Sequence, residues 1–223
     1  MPTILIKNGL IYDGSGCEPL KADILVRGER IASIGNFGKR RADKTIDAQG
    51  AIVAPGFIDI NSECDHSFGI FLEPYQENHI KQGVTTVIGG NRGISLAPVS
   101  RAALDFMRNW LGSFPVNVNW HSVKDFLRVL QKRGLGVNFG TVVGSATIRQ
   151  SVVGDRNRDL TDNEIELCKN ILSRSLDDGA FGFSDSGGEH FYETAVFAKI
   201  AAAKNRVYAA NFKNIGEQIL DSV

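Results

Sequence analysis

The feature that most constrains this chain is the regular alternation of strand-like and helix-like segments between residues 51 and 211. Apolar runs such as VTTVI (84–88) and AFGFS (180–184) alternate with amphipathic stretches that end at a glycine. Alternation of this kind predicts parallel strands joined by right-handed helical crossovers. We therefore expect an α/β fold with about five β/α units, preceded by a separate β-rich segment over residues 1–50.

Turn and capping signals predict the bounds of the individual elements. The sequence TDNE (161–164) is typical of a capping box and predicts a helix that ends at Gly179. In the leader, Asn8-Gly9 and Gly28-Glu29 each predict a hairpin turn in a small antiparallel sheet. Further helices are predicted at 73–81, 100–111, 122–133, 194–204 and after 211, and strands at 51–60, 84–88, 136–143, 180–184 and 207–211.

Composition excludes several classes of protein. The 223 residues carry 25 basic and 25 acidic side chains, so net charge gives no reason to expect a nucleic-acid partner or an acidic membrane surface. No segment approaches the roughly 20 consecutive apolar residues of a membrane helix. The three cysteines form no C-x-x-C pair, and we expect a cytoplasmic protein without disulfides. The length does not allow a complete (β/α)₈ barrel together with another domain, because such a barrel alone takes roughly 250 residues.

Several motifs in the same order along the chain resemble the N-acyl-D-amino-acid deacylases of the amidohydrolase superfamily. They are APGFID (54–59), QGVTTVIGGNRGISLAP (82–98), the run from Trp120 to Arg149, DDGAFGFS (177–184) and RVYAANFKN (206–214). The resemblance implies a small β-sandwich segment at 1–50 and an incomplete TIM-like (β/α) barrel at 51–223. It also implies zinc-assisted hydrolysis of a non-peptide C–N bond, with an N-acyl amino acid as the small-molecule substrate.

The metal-ligand positions of that family are substituted here. Its His-x-His corresponds to Asn61 and Glu63, its thiolate to Arg92, and two further histidines to Ser145 and Asn211. The family's last histidine and catalytic aspartate would lie beyond the final residue of this sequence. Arginine cannot ligate zinc, and asparagine is a poor zinc ligand. We therefore predict a polar pocket at these five positions, with no metal cofactor and no catalytic residue.

Three narrower expectations concern individual side chains. Glu63 and Arg92 would form an ion pair, whose loss would cost about 3–5 kcal/mol if the pair is buried. A relocated metal site would use Glu63, Asp65 and His66, although residues so close in sequence converge on one ion with difficulty. Tyr192 would contact substrate, because the resemblance places a tyrosine-bearing loop near this position.

The sequence leaves three functions open. The chain is a deacylase-type enzyme by descent, a non-catalytic binding or scaffold relative, or part of a longer or split amidohydrolase. Five barrel strands would leave an open parallel edge, which favours association with a second copy or with a complementary barrel half. The substitutions favour a chain that is inactive as written, and its metal content separates the first function from the second.

Overall fold

The computed structural model describes residues 1–105, 116–154, 156, 158–187 and 191–212. The chain divides into two compact units, Met1–Gly56 and Phe57–Val223. Residues 101–105 are helical, but the rest of the helix predicted at 100–111 lies outside the described residues. The helix predicted after residue 211 also lies outside them. None of the described helices is long and apolar enough to cross a membrane.

The first unit is a five-stranded mixed sheet. Its strands are β1 (Thr3–Ile11), β2 (Leu20–Arg27), β3 (Arg30–Gly35), β4 (Lys44–Asp47) and β5 (Ile52–Val53). The order is β3-β2-β1-β4, and β5 also pairs with β1. The β1–β2 and β2–β3 pairs are antiparallel, whereas β4 and β5 run parallel to β1. The prediction of a purely antiparallel sheet was therefore wrong.

The Asn8-Gly9 pair is a bulge inside β1 and not a hairpin turn. The pairing register with β2 shifts between Ile6 and Gly9. Asn8 adopts a φ of 56°, and its N–H donates to Asp23 Oδ1 at 2.9 Å. The apolar run continues across the bulge, so one long strand forms where two were predicted. The second predicted hairpin, across Gly28, is confirmed by the β2–β3 pairing.

The described part of the second unit contains six short strands in two parallel sheets. They are β6 (Phe57–Asp59), β7 (Val84–Gly89), β8 (Asn138–Thr141), β9 (Val143–Gly144), β10 (Gly182–Ser184) and β11 (Val207–Ala209). The sheet orders are β6-β7-β8 and β11-β10-β9, and all four pairings are parallel. Val142 lies between β8 and β9 and donates its N–H to Gly89 O at 2.9 Å. The strands therefore follow one another in sequence order, as the alternation predicts.

The strand predicted at 51–60 is two strands in two units. Residues 52–53 pair with β1, residues 57–59 pair with β7, and the sequence Ala54-Pro55-Gly56 separates them. The prediction of one strand buried on both faces was wrong, because the apolar run also contains the boundary between the units. Among the described residues, no strand pairs with the outer edge of β6 or of β11.

The helices of the second unit follow the strands. They are α1 (Gly69–Leu72), α2 (Glu77–Lys81), α3 (Val123–Arg133), α4 (Ser145–Val153), α5 (Asp162–Asp177) and α6 (Phe191–Ala203). The Thr161–Glu164 capping box is confirmed at the start of α5. The helix predicted at 73–81 starts late, because Gln76 adopts a left-handed φ of 47°. Residues 66–68 form a 3₁₀ turn before α1.

The core of this unit lies between the strands and the helices. Phe71 stacks on Trp120 with ring centroids 5.0 Å apart, and the Trp120 indole N–H donates to Leu96 O at 2.7 Å. The predicted apolar stripe of α5 is confirmed, since its four members are buried: Ile165, Cys168, Leu172 and Leu176. These contacts fix the helix-facing side of the sheets and hold the loops that follow the strands.

Candidate site at the carboxyl ends of the parallel strands

The loops after β7, β9 and β10 touch one another. A side-chain carbon added at Gly144 would lie 2.2 Å from Gly93 O, and one added at Gly93 would lie 2.8 Å from Ser186 N. Such close backbone approach requires glycine at both positions. Because the carboxyl ends of parallel strands meet at one edge, these loops form a common surface, which we call the strand-end surface.

Glu63 and Arg92 form an ion pair on this surface. Arg92 Nη1 lies 3.0 Å from Glu63 Oε1, and the two side chains are 57% and 48% exposed. The pair joins the loop after β6 to the loop after β7. Because the pair is exposed, the cost expected for breaking a buried pair does not apply, and its contribution to stability is about 0–1 kcal/mol.

Buried side chains hydrogen-bond to the backbone of the loop that carries Arg92 and of the strand before it. Asn91 is buried, and its Nδ2 donates to Ile88 O at 2.8 Å. Ser184, the last residue of β10, is fully buried and donates to Gly90 O at 2.6 Å. Its hydroxyl also accepts the Gly93 N–H at 3.0 Å. The sequence predicted Ser184 at the end of a strand, but no local pattern marks a partner 94 residues away.

Asp65 lies beneath the same loop. Its side chain is 2% exposed, and Oδ2 accepts the Gly90 N–H at 2.7 Å. Among the described residues, Oδ1 has no hydrogen-bond partner. Burial raises the pKa of Asp65 to about 6, against the smaller opposing effect of the Gly90 N–H. Asp65 is therefore a buried carboxyl group that titrates near neutral pH.

Asp185 organises the end of β11. It is buried, and it accepts hydrogen bonds from the Tyr208 hydroxyl and, at 3.0 Å, from the Asn211 backbone N–H. Burial, and secondarily the bond to Asp185, raises the pKa of Tyr208. Asp185 lies in the loop directly after β10, and Tyr208 and Asn211 approach it only in the folded chain, so no local sequence signal marks these contacts. Asn211 itself is exposed, and its Nδ2 donates to Ser186 O at 3.3 Å.

The remaining predicted residues are more scattered. Asn61 is exposed, and its backbone N–H donates to Asp59 Oδ1 at 3.1 Å. Ser145 is half-buried as the first residue of α4. Tyr192 lies in the first turn of α6 and is 67% exposed. Within the described residues, no hydrogen bond or ring contact joins Tyr192 to the strand-end surface.

Glu63, Asp65 and His66 do not converge on one point. Glu63 points towards Arg92, Asp65 is buried against Gly90, and His66 Nδ1 lies 3.9 Å from Glu63 Oε2. Within the described ranges, no group of three or more His, Cys, Asp or Glu side chains is arranged to hold a metal ion. The relocated metal site is therefore not formed by these three residues as the structure places them.

Cys64, next to Glu63 and Asp65, is an unreactive thiol. Cys64 is buried, and burial raises the pKa of its thiol to about 12. A thiol with that pKa is almost fully protonated at neutral pH and is a poor nucleophile. Cys17 and Cys168 are also free thiols, and Cys168 lies within the core on α5.

Comparison with curated proteins gives the family. The chain is 33% identical to the D-aminoacylase of Alcaligenes xylosoxydans xylosoxydans over 230 residues, which cover 97% of this chain and 46% of the relative. It is 37% identical over 181 residues to the N-acyl-D-aspartate deacylase of the same organism, covering 81% and 36%. The chain belongs to the D-aminoacylase group of the amidohydrolases. No protein-family model matches it.

Solved structures agree with this membership of the D-aminoacylase group. The N-acyl-D-glutamate deacylase of Bordetella bronchiseptica, complexed with zinc and a phosphonate inhibitor, superposes with a TM-score of 0.85 and 29% identity. That match covers 99% of this chain and 47% of the solved chain. A D-aminoacylase with a binuclear metal centre matches at a TM-score of 0.83 and 31% identity. This D-aminoacylase relative therefore spans about half the length of the proteins it matches.

The residues present in this D-aminoacylase relative do not fit a zinc ion of the kind its relatives hold. At the five matched positions the only anionic side chain, Glu63, is paired with the Arg92 guanidinium. Arginine keeps its charge in proteins and repels a cation placed beside it. The other three positions offer two neutral amides and one hydroxyl. These ligands are unsuited to zinc, which binds thiolates, imidazoles and carboxylates.

Proposed function

We propose that this chain is a deacylase-type amidohydrolase whose matched site no longer hydrolyses amides, and that it acts as a non-catalytic binding relative. The observation that carries the proposal is the Glu63–Arg92 pair at 3.0 Å. The guanidinium occupies a metal-ligand position by resemblance, and it also engages the one carboxylate in the matched set. A cation bound there would lose a ligand and face a fixed positive charge.

The relatives suggest the ligand class. One of them is a D-aminoacylase, and the names of two others specify N-acyl-D-aspartate and N-acyl-D-glutamate as the compounds that are deacylated. We propose N-acyl amino acids as the small molecules recognised here, with no metal cofactor. The binding is then separated from the C–N bond cleavage that zinc supports in the family.

Metal content and hydrolysis test this proposal together. The purified chain is exposed to excess zinc, desalted and analysed for metal, and then assayed for acetate release from N-acetyl-D-glutamate. A D-aminoacylase prepared in the same way is the positive control. We expect zinc well below one equivalent and no acetate release. Zinc near one equivalent with steady hydrolysis would overturn the proposal.

A second candidate is half of a split amidohydrolase. We propose that the second unit is about five β/α units of a TIM-like barrel, and that the first unit is its β-sandwich segment. The supporting observation is that β6 and β11 have unpaired outer edges within the described ranges. The occupant would be a second copy or a chain with the complementary strands. Mass measurement of the chain with and without the carboxyl-terminal half of a D-aminoacylase tests this, and a monomer under both conditions would contradict it.

We further propose that the protein works in the cytoplasm. All three cysteines are free, which suits a reducing compartment. Alkylation of the chain in intact cells, followed by mass analysis, would show three modifiable thiols after unfolding. A disulfide-linked form would contradict this location.

A further inference from the structure

Arg92 adopts a backbone conformation that residues other than glycine disfavour. Its φ is 56°, and the flanking Gly90 and Gly93 have φ of 81° and 77°. A bulky residue with positive φ is uncommon and costs free energy unless the surrounding structure imposes it. Here Asn91 and Ser184 impose it, because they bind the loop backbone on both sides. The loop is held while the Arg92 side chain extends towards solvent.

The Arg92 guanidinium has unused hydrogen-bonding capacity. Its one ion-pair contact joins Nη1 to Glu63 Oε1 at 3.0 Å, and the side chain is 57% exposed. Among the described residues, it makes no other side-chain hydrogen bond that would occupy its five N–H donors. A guanidinium matches a carboxylate best when two parallel N–H groups donate to the two oxygens. The present contact leaves that arrangement open to a ligand.

Glu63 has a second partner within reach. Its Oε2 lies 3.9 Å from His66 Nδ1, in the turn that follows β6. An exposed ion pair contributes little to stability, so exchange of its carboxylate for another is inexpensive. A ligand carboxylate can therefore take the place of Glu63 at Arg92 while Glu63 stays beside His66. Ser186 and Asn211 supply neutral polar groups on the adjoining loops.

We propose that Arg92 binds the carboxylate of a small organic acid and that Glu63 is an internal competitor for the same guanidinium. This inference rests on the proposed non-catalytic binding role, because the guanidinium is free for this task only where no metal is held. The inference names Arg92 as the group that binds the ligand, a carboxylate as the ligand's chemistry, and Glu63 as the competitor.

Binding is tested by calorimetric titration of the full chain with N-acetyl-D-glutamate at low salt. We expect Glu63→Gln to bind about two- to fivefold more tightly than the parent, because removing the competitor gains no more than an exposed ion pair contributes. Arg92→Ala should bind at least tenfold more weakly. The exposed pair of Lys81 and Glu77, 2.9 Å apart on α2, provides the matched control. Glu77→Gln and Lys81→Ala should leave the affinity unchanged.

The arms of the experiment separate the alternative outcomes. Equal affinity of the parent and Glu63→Gln would overturn the proposal, and this result does not depend on whether Arg92→Ala folds. The uncharged diamide of the same ligand should not bind. Inorganic phosphate binding as tightly as the carboxylate would overturn carboxylate recognition. Acetate release during the titration would instead refute the non-catalytic role, whatever the affinities.

Discussion

The burial and hydrogen bonding of Asp65 could not be predicted from its position in the sequence. The sequence offered Asp65 only as one ligand of a relocated metal site, yet the structure buries it against Gly90. Among the described residues, one of its carboxylate oxygens has no hydrogen-bond partner. A buried carboxylate in this environment is destabilising when charged, since it has lost water and gained only one donor. Its neighbours Glu63 and His66 influence the pKa in opposite directions, although less than burial does.

We predict that Asp65→Asn flattens the pH dependence of stability. Burial raises the Asp65 pKa from 3.8 to about 6, so the folded chain binds this proton more tightly than the unfolded chain does. Stability due to this group is therefore greatest at acidic pH and is lost as pH rises through about 6. Urea unfolding at pH 5 and pH 8 should show a smaller decline in the variant, by on the order of 2 kcal/mol.

Asp13→Asn is the control for that experiment. Asp13 is exposed, and its pKa is lowered, chiefly by the side-chain hydrogen bond with Ser15. Its substitution should leave the decline between pH 5 and pH 8 unchanged, because Asp13 is ionised at both values. Parallel curves for the parent and Asp65→Asn would show that the carboxyl group is not the source of the slope.

At the scale of elements, the end of β7 depends on a backbone contact that admits no side chain. A Cβ at Gly90 would lie 2.0 Å from Val142 O, and Gly90 has a φ of 81°. Gly14 has nearly the same φ, 82°, but nothing lies within 4 Å of its Cβ position. The two glycines therefore separate the conformational cost of positive φ from the steric cost of close approach.

We predict that Gly90→Ala is far more destabilising than Gly14→Ala. Gly14→Ala is destabilised only by its left-handed backbone conformation, by about 1–2 kcal/mol. Gly90→Ala must also displace the backbone at Val142, between β8 and β9, which adds about 1–3 kcal/mol or more. Thermal and urea unfolding of both variants measures the difference. Similar losses in the two variants would show that the contact between Gly90 and Val142 relaxes easily.

A buried ion pair joins α4 to α6. Arg149 Nη1 lies 2.5 Å from Glu193 Oε1, and both residues are less than a tenth exposed. Arg149 also donates to the backbone oxygens of Arg156 and Arg158. The sequence predicted a helix at 194–204, which overlaps α6, but it predicted no helix at α4. It also gave no sign that these two residues meet, since 44 positions separate them.

We predict that Arg149→Ala destabilises the chain by about 3–5 kcal/mol, because it removes one partner of a buried ion pair. The double variant Arg149→Met, Glu193→Leu should be closer to the parent than Arg149→Ala, since both charges of the pair are then replaced by apolar side chains. Urea unfolding of the single variants Arg149→Met and Glu193→Leu and of the double variant gives the coupling. An additive double variant would indicate that the pair is not formed.

For the whole molecule, the two edge strands β6 and β11 expose apolar side chains. Edge strand β6 carries Phe57 and Ile58, which are 67% and 62% exposed, and edge strand β11 carries Val207 at 56%. Exposed edges with apolar side chains favour pairing with another chain. The chain also covers less than half of the D-aminoacylase that it matches.

We predict that the isolated chain associates in a concentration-dependent way and that Ile58→Asp weakens this association. A charge on the edge strand opposes edge-to-edge pairing. Sedimentation at increasing concentration measures the mass of parent and variant. Leu167→Asp is the control, because Leu167 is 54% exposed and belongs to helix α5, not to either edge strand. A monomeric parent at high concentration would contradict the prediction.

The sequence alone determined the features that depend on local signals or on motif order. These are the alternation of parallel strands and helices, the capping box of α5 and membership of the D-aminoacylase group. Local signals failed where distant groups compete for the same backbone. Asn8-Gly9 carries a hairpin signal, but β2 pairs along the whole run and converts the turn into a bulge.

Only the tertiary structure decided the chemistry of the strand-end surface. Motif alignment brought Glu63 and Arg92 together, but their exposure, and with it the weakness of the pair, depends on the loops around them. The contacts of Ser184 and Asp185 join residues far apart in sequence. Burial and hydrogen bonding across strands are properties of packing, which residue order specifies only through the complete fold.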